Sequence, residues 1–185
     1  MIARVLFAIC IGLMCLTGCK STYSETNVTT EPPPLLGNSS RIYVAVPFDA
    51  SFKNQVALSS GKRTAETLFV AFNRYTRSVH MGKFPESASD ALENARRFNA
   101  EYLVYPNIVK WEDRATEYSG VRDRLELKID LVNLQDAKLA FSREISATGK
   151  WMTEGGDTPG DLLEQPIEEF VNALFRRVEK PSALW

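Results

Sequence analysis

Between Arg124 and Leu131 the residues alternate without a break: Leu125, Leu127, Ile129 and Leu131 fall on one side, and Arg124, Glu126, Lys128 and Asp130 on the other. Successive side chains of a strand point to opposite faces, so this spacing demands an extended segment with one dry and one wet face. A helix would scatter the same leucines around its circumference. The sheet that contains this strand is therefore expected to be covered on one face and solvated on the other. Its sequence neighbours are also β-prone, from Glu101 to about Glu112 before it and from Lys138 to Trp151 after it. The short stretch from Asn133 to Ala137 leaves room only for a turn between the last two, which predicts an antiparallel meander.

Upstream of the meander the periodicities switch. Ile42, Val44, Val46 and Phe48 share one face of a strand from Arg41 to Phe48, with Tyr43 and Ala45 on the other. Ala65, Leu68, Phe69 and Phe72 recur at helical spacing and predict a helix from about Gly61 to Tyr75, capped by Ser59 or Ser60. A short strand is expected from Arg77 to Met81. Ser87 with Asp90 resembles a capping box before Ala88, Ala91, Leu92, Ala95 and Phe98, which predicts a second helix. After the meander, Leu162, Leu163, Ile167, Phe170, Val171, Leu174, Phe175 and Val178 trace the stripe of a last helix. Pro159 suits its first turn, whereas Pro166 demands a kink or a restart.

The order β-α-β-α-β-β-β-α describes an α+β domain, its helices packed on one face of a mixed sheet. It spans residues 41–180, the usual size of a single domain, and residues 181–185, ending in Trp185, form a tail. In element order it resembles the N-terminal domain of TolB and the lipoprotein activators of cell-wall synthases. Such a likeness implies architecture and not activity.

At the N-terminus, a single positive charge at Arg4 precedes the apolar run from Val5 to Leu16, a secretory signal layout. The run is too short for a membrane-spanning helix, which takes about 20 residues. Leu16-Thr17-Gly18-Cys19 resembles the lipobox of bacterial lipoproteins at all four positions. That resemblance implies removal of residues 1–18, a diacylglyceryl group on the Cys19 sulfur, and acylation of the new amine by a chain such as palmitate. By the sorting pattern of Gram-negative lipoproteins, Lys20 in place of an aspartate implies the periplasmic face of the outer membrane. Residues 19–40 are rich in Ser, Thr, Asn and Pro, contain Pro32-Pro33-Pro34 and show no apolar period, so they predict a flexible tether.

Cys10 and Cys15 fall within the removed segment, and lipid consumes Cys19. No thiol remains for a disulfide, a metal or a nucleophile, so stability must come from the core. The mature chain carries 21 basic and 23 acidic residues with no block of like charge. That balance gives no footprint for nucleic acid.

Chemistry is expected where the meander ends. The third and fifth strands flank the fourth and run the same way, so their C-terminal ends share an edge with the start of the fourth. Trp111, Asp113, Arg114, Arg122, Asp123, Arg124, Trp151 and Asp157 are the candidate binding patch, a mixture of aromatics and arginine suited to recognition. The carboxylates Glu112, Asp113, Glu117, Asp123 and Asp157 open a second reading, a cell-wall glycan hydrolase or small-ligand module acting near Asp113 and Asp157. Their spacing does not match an EF-hand loop. His80 is the only histidine, which argues against a catalytic triad or a histidine-rich metal site. No cofactor or metal is called for.

The stretch Trp111-Glu112-Asp113-Arg114-Ala115-Thr116-Glu117-Tyr118-Ser119-Gly120, the segment Gly155-Gly156-Asp157-Thr158-Pro159-Gly160-Asp161 and the lipobox together resemble a family of uncharacterised bacterial lipoproteins known as a domain of unknown function. The resemblance implies lipoprotein status and a shared α+β domain, with no activity to carry over. The expected function is a membrane-anchored, non-enzymatic binding or assembly domain of the cell envelope. Its expected partner is an envelope protein, with self-association into a structural subunit as a further alternative.

Overall fold

The computed structural model describes residues 21–53, 55–114, 121–150 and 158–175. Among the described residues, eight strands and three helices follow one another as β1 (Thr22–Asn27), β2 (Ile42–Val46), β3 (Ser51–Phe52), β4 (Gln55–Val56), α1 (Ser60–Asn73), β5 (Val79–Pro85), α2 (Ala88–Arg97), β6 (Tyr102–Glu112), β7 (Arg124–Asn133), β8 (Lys138–Thr148) and α3 (Glu164–Phe175). Six strands form one sheet in the order β1-β8-β7-β6-β2-β5, and β3 and β4 form a separate small hairpin. The pairs β6·β7 and β7·β8 are antiparallel and β2 runs parallel to both β5 and β6. This is the expected α+β class with a mixed sheet.

The alternation along β7 survives intact: Leu125, Leu127, Ile129 and Leu131 are buried while Glu126, Lys128 and Asp130 are only partly covered. On the dry face they join Phe141, Ile145 and Ala147 from β8, with Leu68 and Phe72 of α1 and Ile167, Phe170 and Leu174 of α3. The wet face is laced by ion pairs, Lys110 with Glu126 and Lys128 with Asp130 at 3.6 Å.

The helices are not all on one face. Strand β2 is buried along its whole length, with Ile42, Val44 and Val46 in the main core and Tyr43 and Ala45 in a second cluster with Leu103 and the α2 residues Ala91 and Ala95. A parallel strand inside a β-α-β unit is covered on both sides, and α2 therefore lies opposite α1 and α3. Tyr43 and Ala45, too few to read as a second apolar face, were the only sequence sign of it.

Part of the stretch expected as a tether is a strand. Residues Thr22 to Asn27 pair antiparallel with β8 over six positions, from Thr22 opposite Thr148 to Asn27 opposite Arg143. The segment TYSETN carries no apolar period because this edge strand meets solvent along most of its length. Its adhesion comes from main-chain pairing and one buried cation: Arg143 donates from Nη1 to Glu25 Oε2 at 2.7 Å and from Nε to Asn27 Oδ1 at 3.0 Å. Further on, the Leu36 amide donates to the Leu174 carbonyl at 2.7 Å, so the proline stretch is flanked by docked residues on both sides.

Smaller differences have local causes. Strand β5 is Val79–Pro85, later and longer than the expected Arg77 to Met81. Ser87 caps α2 as expected, its Oγ accepting from the Asp90 amide at 3.3 Å. Ser59 does not cap α1 and Ser60 lies inside the helix; the carboxylate of Asp49 accepts from the Ser59 and Gly61 amides at 3.0 and 2.8 Å. Gly61 is required there, since a Cβ at that position would stand 2.1 Å from the Pro47 carbonyl oxygen. Pro166 causes a restart rather than a kink: it falls in the first turn of α3, where its missing N–H leaves no bond unmade.

Candidate functional site

The end of the meander assembles as the strand directions require. Glu112 stands opposite Arg124, and Arg124 opposite Thr148, so the C-terminal ends of β6 and β8 and the start of β7 form one edge. Against it stands the β3–β4 hairpin, whose first strand packs on β6. Between the hairpin, the first turn of α1 and the end of β6 lies a concavity of about 840 Å³, bordered by Phe52, Val56, Leu58, Lys62, Trp111 and Asp113.

Trp111 is core before it is surface. It is 8 % exposed and belongs to the main apolar cluster while also lining part of the concavity. A bulge places it there. Ile108 pairs with Leu127 and Trp111 with Leu125, so one extra residue, Val109, separates two positions that face the same way. Strict alternation along β6 would have sent Trp111 to the opposite face.

The charged members divide by role. Glu112 is buried, and its Oε2 accepts from Arg114 Nε at 3.1 Å and Nη2 at 2.8 Å. Asp123 is buried as well, its Oδ1 accepting from the Arg114 amide at 2.6 Å while its carbonyl accepts from the Gly149 amide. The guanidinium of Arg114 then lies 5.3 Å from the centre of the Phe52 ring. Glu112, Asp123 and Arg114 thus tie the strand ends to each other and to the hairpin. Asp113 and Arg124 are exposed, and Arg122 is half-buried. Trp151, Asp157 and Glu117 lie outside the described residues, as do Cys19 and Lys20. Among the described residues no group of three His, Cys, Asp or Glu side chains is arranged to hold a metal ion.

Sequence reasoning missed the other wall of the concavity. Leu58 is 83 % exposed, and Val56 and Lys53 are exposed beside it on the hairpin. The only advance signal was the break in pattern between Asp49 and Ser59. On the wall formed by α1, Arg63 pairs with Asp161 at 2.7 Å. Burial alone would raise the Asp161 carboxyl, but hydrogen bonds from the Thr158 amide and hydroxyl together with the Arg63 charge hold it below its usual 3.8.

Elsewhere, His80 is exposed on β5 and stacks on Phe98, which stacks in turn on Tyr43. The Tyr43 hydroxyl donates to Glu86 Oε1 at 2.7 Å and Asn94 Nδ2 to the same oxygen at 2.6 Å. Burial, followed by the hydrogen bond and charge of Glu86, raises the tyrosine's titration well above its usual range. Glu86 was not singled out by sequence, because nothing local distinguishes a carboxylate that merely follows an edge strand from one that enters a buried network.

The model of a family described as Domain of unknown function (DUF4823) matches residues 35–174. No protein with a curated description matches the sequence. Among solved structures, the PelC dodecamer from Paraburkholderia phytofirmans is similar with a TM-score of 0.64 at 14% identity, covering 85% of this chain and 99% of that one. A protein from Xanthomonas campestris gives a TM-score of 0.50 at 16% identity, covering 80% and 91%. TolB from Acinetobacter baumannii gives 0.40 at 11% identity over 82% of this chain and 30% of that one. At these identities the likeness to the first two is one of fold.

Proposed function

The chain belongs to this family of domains of unknown function, and we propose that it is a lipid-anchored, non-enzymatic subunit of the bacterial envelope that works by associating with copies of itself. The lipobox ending in Cys19 supports the envelope location, and Lys20 supports the periplasmic side of the outer membrane. Among the described residues no helix is long and apolar enough to cross a membrane, so the anchor would carry that attachment.

The observation that carries self-association is that, among the described residues, no strand pairs with the outer side of β5. Phe84 is 76 % exposed on that strand and Phe48 is 62 % exposed just beyond the end of neighbouring β2. Large aromatics beside unpaired main chain are costly to leave in water, and a second copy covers both. The fold shared with a subunit of the PelC dodecamer, almost the whole of it, is compatible with this reading.

Two measurements test the proposal. Cys19→Ala should abolish labelling by palmitate and move the protein from the membrane to the soluble fraction; a wild-type chain already in the soluble fraction would overturn the anchor. Light scattering on the lipidated protein in detergent should give a multiple of the chain mass, reduced to one copy by Phe84→Glu with an unchanged circular dichroism spectrum. A strictly monomeric wild type would overturn self-association.

A second reading, binding of another envelope protein, is favoured by the concavity beneath Leu58 and Val56. Its carboxylate Asp113 is exposed on the rim. A glycan hydrolase at that place predicts fragments released from peptidoglycan that disappear in Asp113→Asn.

A further inference from the structure

Strand β1 changes what a lipid on Cys19 would do to the domain. Only Lys20 and Ser21 separate Cys19 from Thr22, the first paired residue of the sheet. Three residues reach at most about 10 Å even when fully extended. A tether of that length cannot hold the domain off a bilayer; it fixes which end of the sheet lies against it.

Thr22 is opposite Thr148, which is opposite Arg124, which is opposite Glu112. The end of the sheet next to the lipid is therefore the end that carries the β3–β4 hairpin and the concavity. The turn between β7 and β8, around Gln135, lies ten residues away along β7, or about 30 Å. We infer that the short link between Cys19 and β1 docks this end on the phospholipid headgroup layer, with Leu58 and Val56 entering the interface and Lys53 and Arg124 meeting anionic headgroups. This rests on lipid attachment at Cys19.

The surface has the chemistry for that occupant. Leu58, Val56, Lys53 and Arg124 are all exposed. The Lys53 ammonium lies over the Phe52 ring, 5.2 Å from its centre, on an exposed side chain. Apolar side chains flanked by cations suit the boundary between acyl chains and headgroups. The carboxylates at this end do not oppose it equally: Glu112 and Asp123 are buried on Arg114 and Asp49 is half-buried on the Ser59 and Gly61 amides, whereas Asp113 is exposed.

Because Cys10 and Cys15 lie in the segment removed and lipid consumes Cys19, a single introduced cysteine is a unique place for a fluorophore. Lipidated Leu58→Cys and Gln135→Cys proteins, each labelled with a polarity-sensitive dye, are placed in vesicles of phosphatidylethanolamine and phosphatidylglycerol carrying a lipid-borne quencher. The dye at position 58 should be quenched several-fold more than the dye at 135, and a long Gly/Ser spacer between Lys20 and Ser21 should remove most of the difference. Equal quenching at the two positions overturns the docking, and quenching unchanged by the spacer overturns its cause. Mass measurement of the N-terminal peptide reads the anchor separately: an unmodified Cys19 overturns both readings, whereas a lipidated Cys19 with equal quenching overturns only this one.

Discussion

Arg143 stands on the covered face of β8, its guanidinium over the rings of Phe141 and Phe170, 5.4 and 5.9 Å from their centres. A buried cation costs several kcal/mol unless it is matched, and Glu25 of β1 matches it. Burial raises the Glu25 carboxyl, Arg143 lowers it, and Glu169 raises it again; the net direction is upward. Glu25→Ala leaves Arg143 without its anion and should cost about 2 kcal/mol in urea unfolding. A second residue tests the sign of a titration. Asp161 is held below its usual value when folded, so its contribution is present above the normal carboxylate range and is lost as pH falls through the lowered value. Asp161→Asn should therefore be less stable than wild type near neutrality, and the two unfolding curves should converge at low pH. The pair with Arg63 is about half exposed, so the gap will be small. A gap that persists in acid would sink the assignment.

Two elements depend on features shorter than themselves. The bulge at Val109 lets Ile108 and Trp111 face the same way, so deleting Val109 should regularise the ladder and keep Trp111 turned to the core. The observable is its fluorescence emission, expected to stay at the wild-type wavelength; a move to longer wavelength would show that the register slipped by one residue instead. Helix α1 depends on Asp49, which lies in the loop before β3 and accepts from two of the amides that begin the helix. Asp49→Ala should lower stability by about 1 kcal/mol in thermal denaturation. A cap contributed from ten residues upstream cannot be read from the helix sequence, where Ser59 and Ser60 both look eligible. Ser59 is instead in the left-handed region, at φ 67°, with no side-chain bond to the helix.

At the scale of the molecule, the boundary of the folded unit moves. The apolar pattern begins at Arg41, yet the sheet begins at Thr22. A chain starting at Ser21 should unfold cooperatively, whereas one starting at Arg41 should melt at lower temperature, since β8 becomes an open edge and Arg143 loses Glu25 and Asn27. Equal melting temperatures would show that β1 contributes nothing to stability.

The periodicities determined the element types, the meander and the α+β class, because burial of one face imposes period two or 3.6 on the residues that face the core. Sequence also brought Trp111, Glu112, Arg114, Asp123 and Arg124 to one edge, since an antiparallel order dictates which strand ends meet. Three things were left to the tertiary structure. The side of the sheet taken by α2 follows from the handedness of a parallel crossover, which no local pattern carries. The division of the patch into buried ties and an exposed rim follows from a one-residue bulge and from a hairpin whose sequence has no period. The attachment of Thr22 to Asn27 follows from main-chain pairing and a single long-range ion pair, neither of which leaves an apolar trace in the strand that makes them.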